Sequence, residues 1–161
     1  MAFTAGKNSE TNEELSSLEY LSTIKIEGEI ATSGNFSYGL KGKSTLSSGK
    51  TGGFHFKVAG DFTGTSESGS VLLTGLQLQG QQNILKSTSG DIEIHLKRCT
   101  GFSGSFTASS KTGSVKIVTA NTADTNVQDQ NGGYSGKVCD SSASFLEVTS
   151  DGGDITIYFD N

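Results

Sequence analysis

Hydrophobic and polar residues alternate along most of the chain from residue 23 onward. A period of two is typical of a strand with one buried and one exposed face. Many of these runs follow a glycine that is itself preceded by Ser, Thr or Gly, and Gly is expected there because it can adopt a positive φ. The runs after such turns begin at Phe36, Phe54, Val71, Ile92, Val115 and Ile155.

The strand–turn–strand phrase repeats at a nearly constant spacing. The hydrophobic residues on either side of the turn are Phe62 with Val71, Ile84 with Ile92, Phe106 with Val115, and Leu146 with Ile155. The first three pairs start 22 residues apart, and the fourth starts 40 residues after the third. A period near 20 is typical of stacked repeats. We therefore predict an all-β fold, a small right-handed parallel β-helix of five to seven coils of about 20–22 residues. An antiparallel β-sandwich, in which each turn closes a hairpin, is the alternative.

Residues 121–138 interrupt this spacing. They are polar and form either a long loop inserted in one coil or part of an extra coil, with a strand near Tyr134–Val138. Cys99 and Cys139 are candidates for a disulfide because each lies seven residues before its hydrophobic repeat position. A disulfide needs Cα atoms about 4.4–6.8 Å apart, which only neighbouring coils allow. A bridge would thus make 121–138 a surface loop, and free thiols would leave the extra coil open.

We divide the chain into residues 1–22, a polar N-terminal segment, and residues 23–161, a β-repeat domain. A short capping helix over Ser9–Leu21 is one reading of the first segment, with Ser9 as the N-cap and leucines spaced by three. A frayed tail that leads into a strand is the other.

Composition and charge exclude some classes of partner. The net charge of −5, without clusters of Lys or Arg, argues against nucleic acid. No hydrophobic run approaches a membrane span. The residues after Met1 lack the hydrophobic run of a signal peptide, so we expect a cytoplasmic protein if Met1 is the native start. No residue is assigned a catalytic, cofactor-binding or metal-binding role, and no cofactor is expected.

The outward positions of the strands carry the candidate binding residues. A polar strand face is expected to contain Glu93, His95, Lys97, Lys116 and Tyr158, with Tyr134 as a further exposed ring. A metal site at His55 and His95, with Glu93 on the strand face of His95, is weakly indicated, because the two histidines are 40 residues apart and no third ligand has a suitable spacing. Two other groupings are read as ordinary polar surface: the acidic residues Asp151, Asp154 and Asp160, considered for calcium, and the Ser, His and Asp residues, considered for a hydrolase.

The repeated phrase resembles that of the bacterial putative-adhesin domain family of unknown function. The residues that carry the resemblance are Ser87–Ile94, Ser110–Ile117 and Thr149–Ile157, each with a Gly-x-[Ile/Val]-x-Ile core. The resemblance covers residues 60–159 and implies a right-handed β-helix located at the cell surface or secreted. It implies no catalytic residue, since the family has none that is agreed.

These observations predict a non-enzymatic, adhesin-like surface-interaction module that binds a glycan or a protein through an exposed strand face. The alternative is a structural β-repeat protein that self-assembles into a homo-oligomer through its sheet ends. A small hydrolase is the least favoured class, because it would need an acidic cleft.

Overall fold

The computed structural model describes strand backbones within residues 3–58, the side chain of Val58, and residues 60–67, 70–120, 125–139 and 144–161. The side chains of 75, 126 and 128–130 are not described. The described secondary structure consists of strands without helices, so the all-β prediction is confirmed.

The first seven strands, for which the backbone is described, are β1 Phe3–Ala5, β2 Ser17–Leu18, β3 Thr23–Gly28, β4 Ile30–Thr32, β5 Phe36–Leu40, β6 Thr45–Ser48 and β7 Phe56–Val58. The following ten are β8 Phe62–Ser66, β9 Val71–Leu78, β10 Gln82–Ser87, β11 Ile92–Lys97, β12 Gly104–Ser110, β13 Val115–Thr119, β14 Thr125–Gln130, β15 Gly133–Val138, β16 Ser144–Ser150 and β17 Ile155–Asp160.

The strands form two sheets, and the chain passes from one to the other at the Ser/Thr/Gly turns before β9, β11, β13 and β17. Sheet A has the order β1-β3-β6-β9-β11-β17-β13, with β4 and β7 beside it. Sheet B has the order β14-β15-β12-β16-β10-β8-β5-β2. Each pair of consecutive strands, one from each sheet, forms a unit: unit I is β8 and β9, unit II β10 and β11, unit III β12 and β13, and unit IV β16 and β17. The strands that flank these turns lie in different sheets, which does not match the antiparallel alternative.

The order of the units in space differs from their order in the chain. Unit IV lies between units II and III in both sheets, with parallel pairing on both sides. Units II and III are therefore consecutive in the chain but are not in contact as neighbours in either sheet. Unit IV, which follows them in the chain, occupies the position between them. The final strand β17 is central rather than terminal.

The segment that interrupts the repeat is neither a surface loop nor an extra coil, but the strand predicted near Tyr134–Val138 is present as β15. Its described part is an antiparallel hairpin of β14 and β15, and β15 also pairs antiparallel with β12. The hairpin therefore extends sheet B beyond unit III. In sheet A the corresponding end is β13, which pairs on one side with β17.

The core is built from columns of inward side chains that match from unit to unit. One column places Ile94 beside Ile157 and Ile117, and another places Leu85 beside Val148 and Ala108. Other core positions are filled by the phenylalanines, with the Phe106 and Phe159 ring centroids 5.0 Å apart. Each strand contributes one inward hydrophobic residue to each column, so a small number of hydrophobic residues fills the space between the two sheets.

The prediction that Ile84 of unit II occupies an inward repeat position is wrong. Ile84 points outward and is half-buried, and Asn83 takes the inward position beside Leu146. Asn83 is fully buried, and its amide nitrogen donates to the carbonyls of Gly80 and Phe145 at 3.1 Å. Its side-chain oxygen accepts from the Phe62 N–H at 3.3 Å. The buried amide is tolerated because these partners satisfy it.

The turn glycines are required for a reason other than the predicted one. Among the described glycines only Gly132 has a positive φ. At Gly153, in contrast, an added Cβ would lie 2.1 Å from the Gly90 carbonyl oxygen of the neighbouring unit, and at Gly113 it would lie 2.3 Å from that of Gly153. The turns stack backbone on backbone, and this contact leaves no room for a side chain.

Cys99 and Cys139 form a disulfide with their Cα atoms 5.6 Å apart. Cys99 follows unit II and Cys139 precedes unit IV, so the bridge joins neighbouring units as its geometry requires. The inference that a bridge makes 121–138 a surface loop is wrong, because it assumed that units follow one another in space as they do in the chain. Both cysteines have a positive φ, of 64° and 58°.

Part of the N-terminal segment is described. Within the stretch considered as a capping helix, Ser17–Leu18 form strand β2, which pairs with β5. The rest of that stretch lies outside the described residues. The described part of the chain contains no helix with the length and hydrophobicity to cross a membrane.

Candidate functional site

The outer face of sheet A carries the five predicted binding residues. Register pairing places them in three rows across the strands. The rows are Leu72, Glu93, Thr156 and Lys116; then His95, Tyr158 and Val118; then Lys97 and Asp160. The alternation within β11, β17 and β13 gives these residues one common direction, because their neighbours point into the core.

His95 is the centre of a contact cluster on this face. Its ring stacks on Tyr158, with centroids 4.2 Å apart and planes inclined by 5°. Its Nδ1 lies 3.2 Å from Oδ2 of Asp160, and its Nε2 lies 3.0 Å from Oε1 of Glu93. Because carboxylate oxygens only accept, both contacts are satisfied when both ring nitrogens carry hydrogen. We name Glu93, His95, Tyr158 and Asp160 the histidine cluster.

The contacts within the histidine cluster orient its side chains but contribute little to the stability of the folded protein. The side chains of Glu93 and Asp160 are 47% and 49% exposed. Ion pairs at this exposure contribute between about 0 and 1 kcal/mol. The imidazole and phenol rings lie nearly parallel, so the face presents a stacked aromatic pair with a carboxylate on either side of the imidazole.

The two lysines flank the cluster. Lys116 is exposed at the edge strand, separated from Glu93 by Thr156. Lys97 is exposed and lies opposite Asp160 in the register. Sequence reasoning missed Asp160 as part of this face, since it was grouped with the nearby turn acids. The signal was present, because Ile155–Asp160 aligns with Ile92–Lys97 in the repeated phrase.

The geometry of the cluster does not suit a metal ion, and His55, the other histidine considered for one, lies outside the described residues. Glu93 and Asp160 contact opposite nitrogens of the same imidazole and so do not converge on one point. Among the described residues no group of three His, Cys, Asp or Glu side chains is arranged to hold a metal ion. Tyr134, expected to be exposed, is half-buried and packs against the core.

The acidic residues of the last turn are separated from one another by their partners. Asp151 pairs with Lys111 at 2.6 Å. Asp154 accepts a hydrogen bond from the Ser114 N–H of unit III at 2.7 Å, and its own N–H donates to Asp91 of unit II at 2.9 Å. These aspartates join the turns of neighbouring units. The hydrogen bond from the Ser114 backbone, aided by its side chain, lowers the pKa of Asp154 below its usual value of 3.8.

The hydrogen bond between Ser114 and Asp154 predicts that the folded protein becomes slightly less stable in acid. Because the pKa of Asp154 is lower in the folded protein than in the unfolded chain, its contribution to stability is complete above the usual value and is lost as pH falls through the folded-state pKa. Asp154→Asn keeps an oxygen that accepts from Ser114, and we expect it to reduce the loss. Urea unfolding midpoints at pH about 5 and about 2 measure this, and an unchanged difference between the two midpoints would contradict it.

No protein-family model matches the chain, and no curated protein matches it. Among solved structures, the crystal structure of a "putative cell adhesion protein" from Clostridium sporogenes ATCC 15579 is similar over 86% of this chain, with 12% sequence identity and a TM-score of 0.48. The chain spans 56% of that protein. A likeness at this level carries no conclusion about function.

Proposed function

We propose that the protein is a non-enzymatic surface-interaction module built on a small parallel β-helix, with the outer face of sheet A as its contact surface. The alternation of units I to IV between two sheets, with parallel pairing of the units that lie side by side, supports the β-helix. The observation that carries the proposed function is the histidine cluster. In it His95 and Tyr158 form a half-exposed, stacked aromatic pair, and both imidazole nitrogens contact carboxylates, whereas ordinary solvated side chains would be independent of one another.

The composition of this face favours a protein partner over a small ligand. The rows contain both signs of charge, and the hydrophobic residue Leu72 is exposed at 38% beside Glu93. Aromatic residues such as Tyr are enriched at the centres of protein interfaces, where they add contact area at a low entropic penalty. The ring of Tyr158 is already held by His95, so little further ordering is required on binding.

The disulfide supports a location outside the reducing cytosol. Structural disulfides persist mainly in secreted, periplasmic and surface proteins. This is the setting in which an adhesin-like module acts, and it agrees with the non-enzymatic role that we propose.

Adhesion under flow tests the proposal. Beads coated with the protein are passed over surfaces that carry serum proteins and over surfaces that carry mucin glycans. We expect retention on the protein-coated surface, reduced by roughly tenfold in Tyr158→Ala, since interface tyrosines often contribute more than 1 kcal/mol. Tyr158→Phe keeps the stacked ring and is expected to retain most of the adhesion.

Thr63→Ala, an exposed substitution on the outer face of sheet B, is the matched control and is expected to leave adhesion unchanged. Circular dichroism verifies that each variant is folded. Equal retention of Tyr158→Ala and the unchanged protein would reject the face that we propose, and retention on mucin alone would make the partner a glycan.

Self-assembly is the second candidate, and it is favoured by the position of β13, which pairs with β17 alone among the strands that the structure describes. Val115 and Ile117 are half-buried there, whereas Ile155 and Ile157 in the same columns are fully buried. A strand edge of this kind recruits other strands. Val118 lies beside Tyr158 on the outer face, so the test needs both substitutions. If sedimentation shows concentration-dependent oligomers that Val118→Lys dissolves and Tyr158→Ala leaves intact, β13 rather than the histidine cluster is the functional surface.

A further inference from the structure

The outer face of sheet B carries a groove that the proposed function does not use. It has a volume of about 450 Å³ and crosses β15, β12 and β16. Its lining includes Phe145, Ser105, Thr107, Ser135, Gly136 and Lys137. The volume lies within the range of about 300–1,000 Å³ that is common for small-molecule sites.

The groove exists because small side chains lie between large ones in the register. Ser105 is the neighbour of Lys137 on one side and of Phe145 on the other. In the next row Thr107 lies between Ser135 and Glu147. Phe145 and Lys137 therefore form two walls about 10 Å apart, twice the spacing of neighbouring strands, and the hydroxyls form the floor.

The polar groups of the groove differ from those of the histidine cluster in being unengaged. In the described part of the chain, no hydrogen bond or ion pair involves the side chains of Ser105, Thr107, Ser135 or Lys137. The hydroxyls can both donate and accept, and the lysine can donate three hydrogen bonds. They are available to a ligand without the loss of an internal contact.

The groove offers side chains but no free backbone groups. β12 pairs with β15 and β16 on its two sides, and β15 pairs with β12 and β14. An extended peptide recognised by strand addition needs an unpaired edge, so it has no means to bind here. A compact ligand recognised by side chains fits the groove better.

We propose that this groove binds an acidic saccharide. A sugar ring has a C–H face that packs on an aromatic ring such as Phe145, and hydroxyls at its rim that match the serine and threonine floor. Lys137 is the charged residue in the lining, and an ammonium group forms a strong charge-assisted hydrogen bond with a carboxylate. One sugar ring lies over Phe145, and its carboxylate, or that of the adjoining ring, contacts Lys137. The site is separate from the sheet A face and does not depend on it.

Backbone amide NMR shifts during titration test this site. The probes are two acidic saccharides, 3′-sialyllactose and tri-galacturonate, with lactose and the methyl ester of tri-galacturonate as their neutral counterparts. We expect saturable shifts at Ser105, Lys137 and Phe145, with at least one acidic probe binding roughly tenfold more tightly than its neutral counterpart, as expected for one charge-assisted contact.

Substitutions of Lys137 and Phe145 separate the contribution of the charge from that of the aromatic ring. Lys137→Gln is expected to abolish the preference for the acidic probe, whereas Lys86→Gln, an exposed lysine on the same face outside the groove, is expected to preserve it. Phe145→Ala is expected to weaken acidic and neutral probes alike, by tenfold or more. Phe145→Tyr keeps an aromatic ring and is expected to bind the probes. It is the control that distinguishes the loss of the ring in Phe145→Ala from misfolding.

The outcomes that would overturn the proposal are distinct from those that test sheet A. It fails if neither acidic probe gives saturable shifts, if the acidic preference survives Lys137→Gln, or if the shifts map to the histidine cluster. Tyr158→Ala is expected to leave the titration unchanged. A module that loses bead adhesion in Tyr158→Ala but binds no acidic saccharide would retain its proposed function and lose this site.

Discussion

Gly153→Ala is expected to destabilise the protein by about 3 kcal/mol or more, at the upper end of what overpacking does. The added Cβ would lie 2.1 Å from the Gly90 carbonyl oxygen, which belongs to a backbone that cannot move alone. On its other side, the Gly153 carbonyl accepts from the Ser110 hydroxyl at 2.9 Å. Any shift of this turn away from unit II therefore disturbs unit III. Urea unfolding, followed by circular dichroism, measures the loss.

The adjacent glycine provides a matched control. Gly152 is exposed, and a Cβ there would approach the Thr88 carbonyl oxygen no closer than 3.4 Å. Gly152→Ala is expected to change stability by less than about 0.5 kcal/mol. Similar effects of the two substitutions would show that the stacking of turns is not what requires glycine.

Loss of the Cys99–Cys139 disulfide is the second large expected effect, at about 4 kcal/mol. The bridge spans 40 residues, and the chain-entropy model gives this figure for a loop of that length. The closed loop contains unit III and the hairpin, so the bridge restricts the unfolded chain and also holds the start of unit IV beside the end of unit II. Urea unfolding of the double variant Cys99→Ser/Cys139→Ser, compared with the oxidised protein, measures the loss.

A second double variant separates the bridge from the local backbone. Both cysteines have a positive φ, which is unfavourable for residues with a Cβ by about 1 kcal/mol or more each. Cys99→Gly/Cys139→Gly lacks the bridge but accommodates this backbone, so we expect it to be more stable than the serine variant. Equal stability of the oxidised protein and both variants would mean that the bridge contributes nothing measurable.

Alternation and the repeated phrase were enough to predict the strands and one exposed face. The side-chain direction in a strand has a period of two, so Glu93, His95 and Lys97 are assigned to one face by local sequence alone. Their alignment with Thr156 and Tyr158 follows from the shared phrase. Asn83 was beyond such reasoning, because a polar residue is accepted in the core only when distant backbone groups, here those of Phe62 and Phe145, satisfy it.

The all-β class, the repeating unit and the residues that point outward follow from local propensity and periodicity, so the pattern along the chain is enough to predict them. Which unit lies beside which is known only from the folded structure. Units with the same pattern of hydrophobic positions can stack in any order at similar energy, so their local pattern holds no information about neighbours. Contacts between distant residues, including the β15–β12 pairing and the disulfide, accompany the central position of unit IV. The groove at Phe145 and the pairing of His95 with Asp160 exist only because of that order.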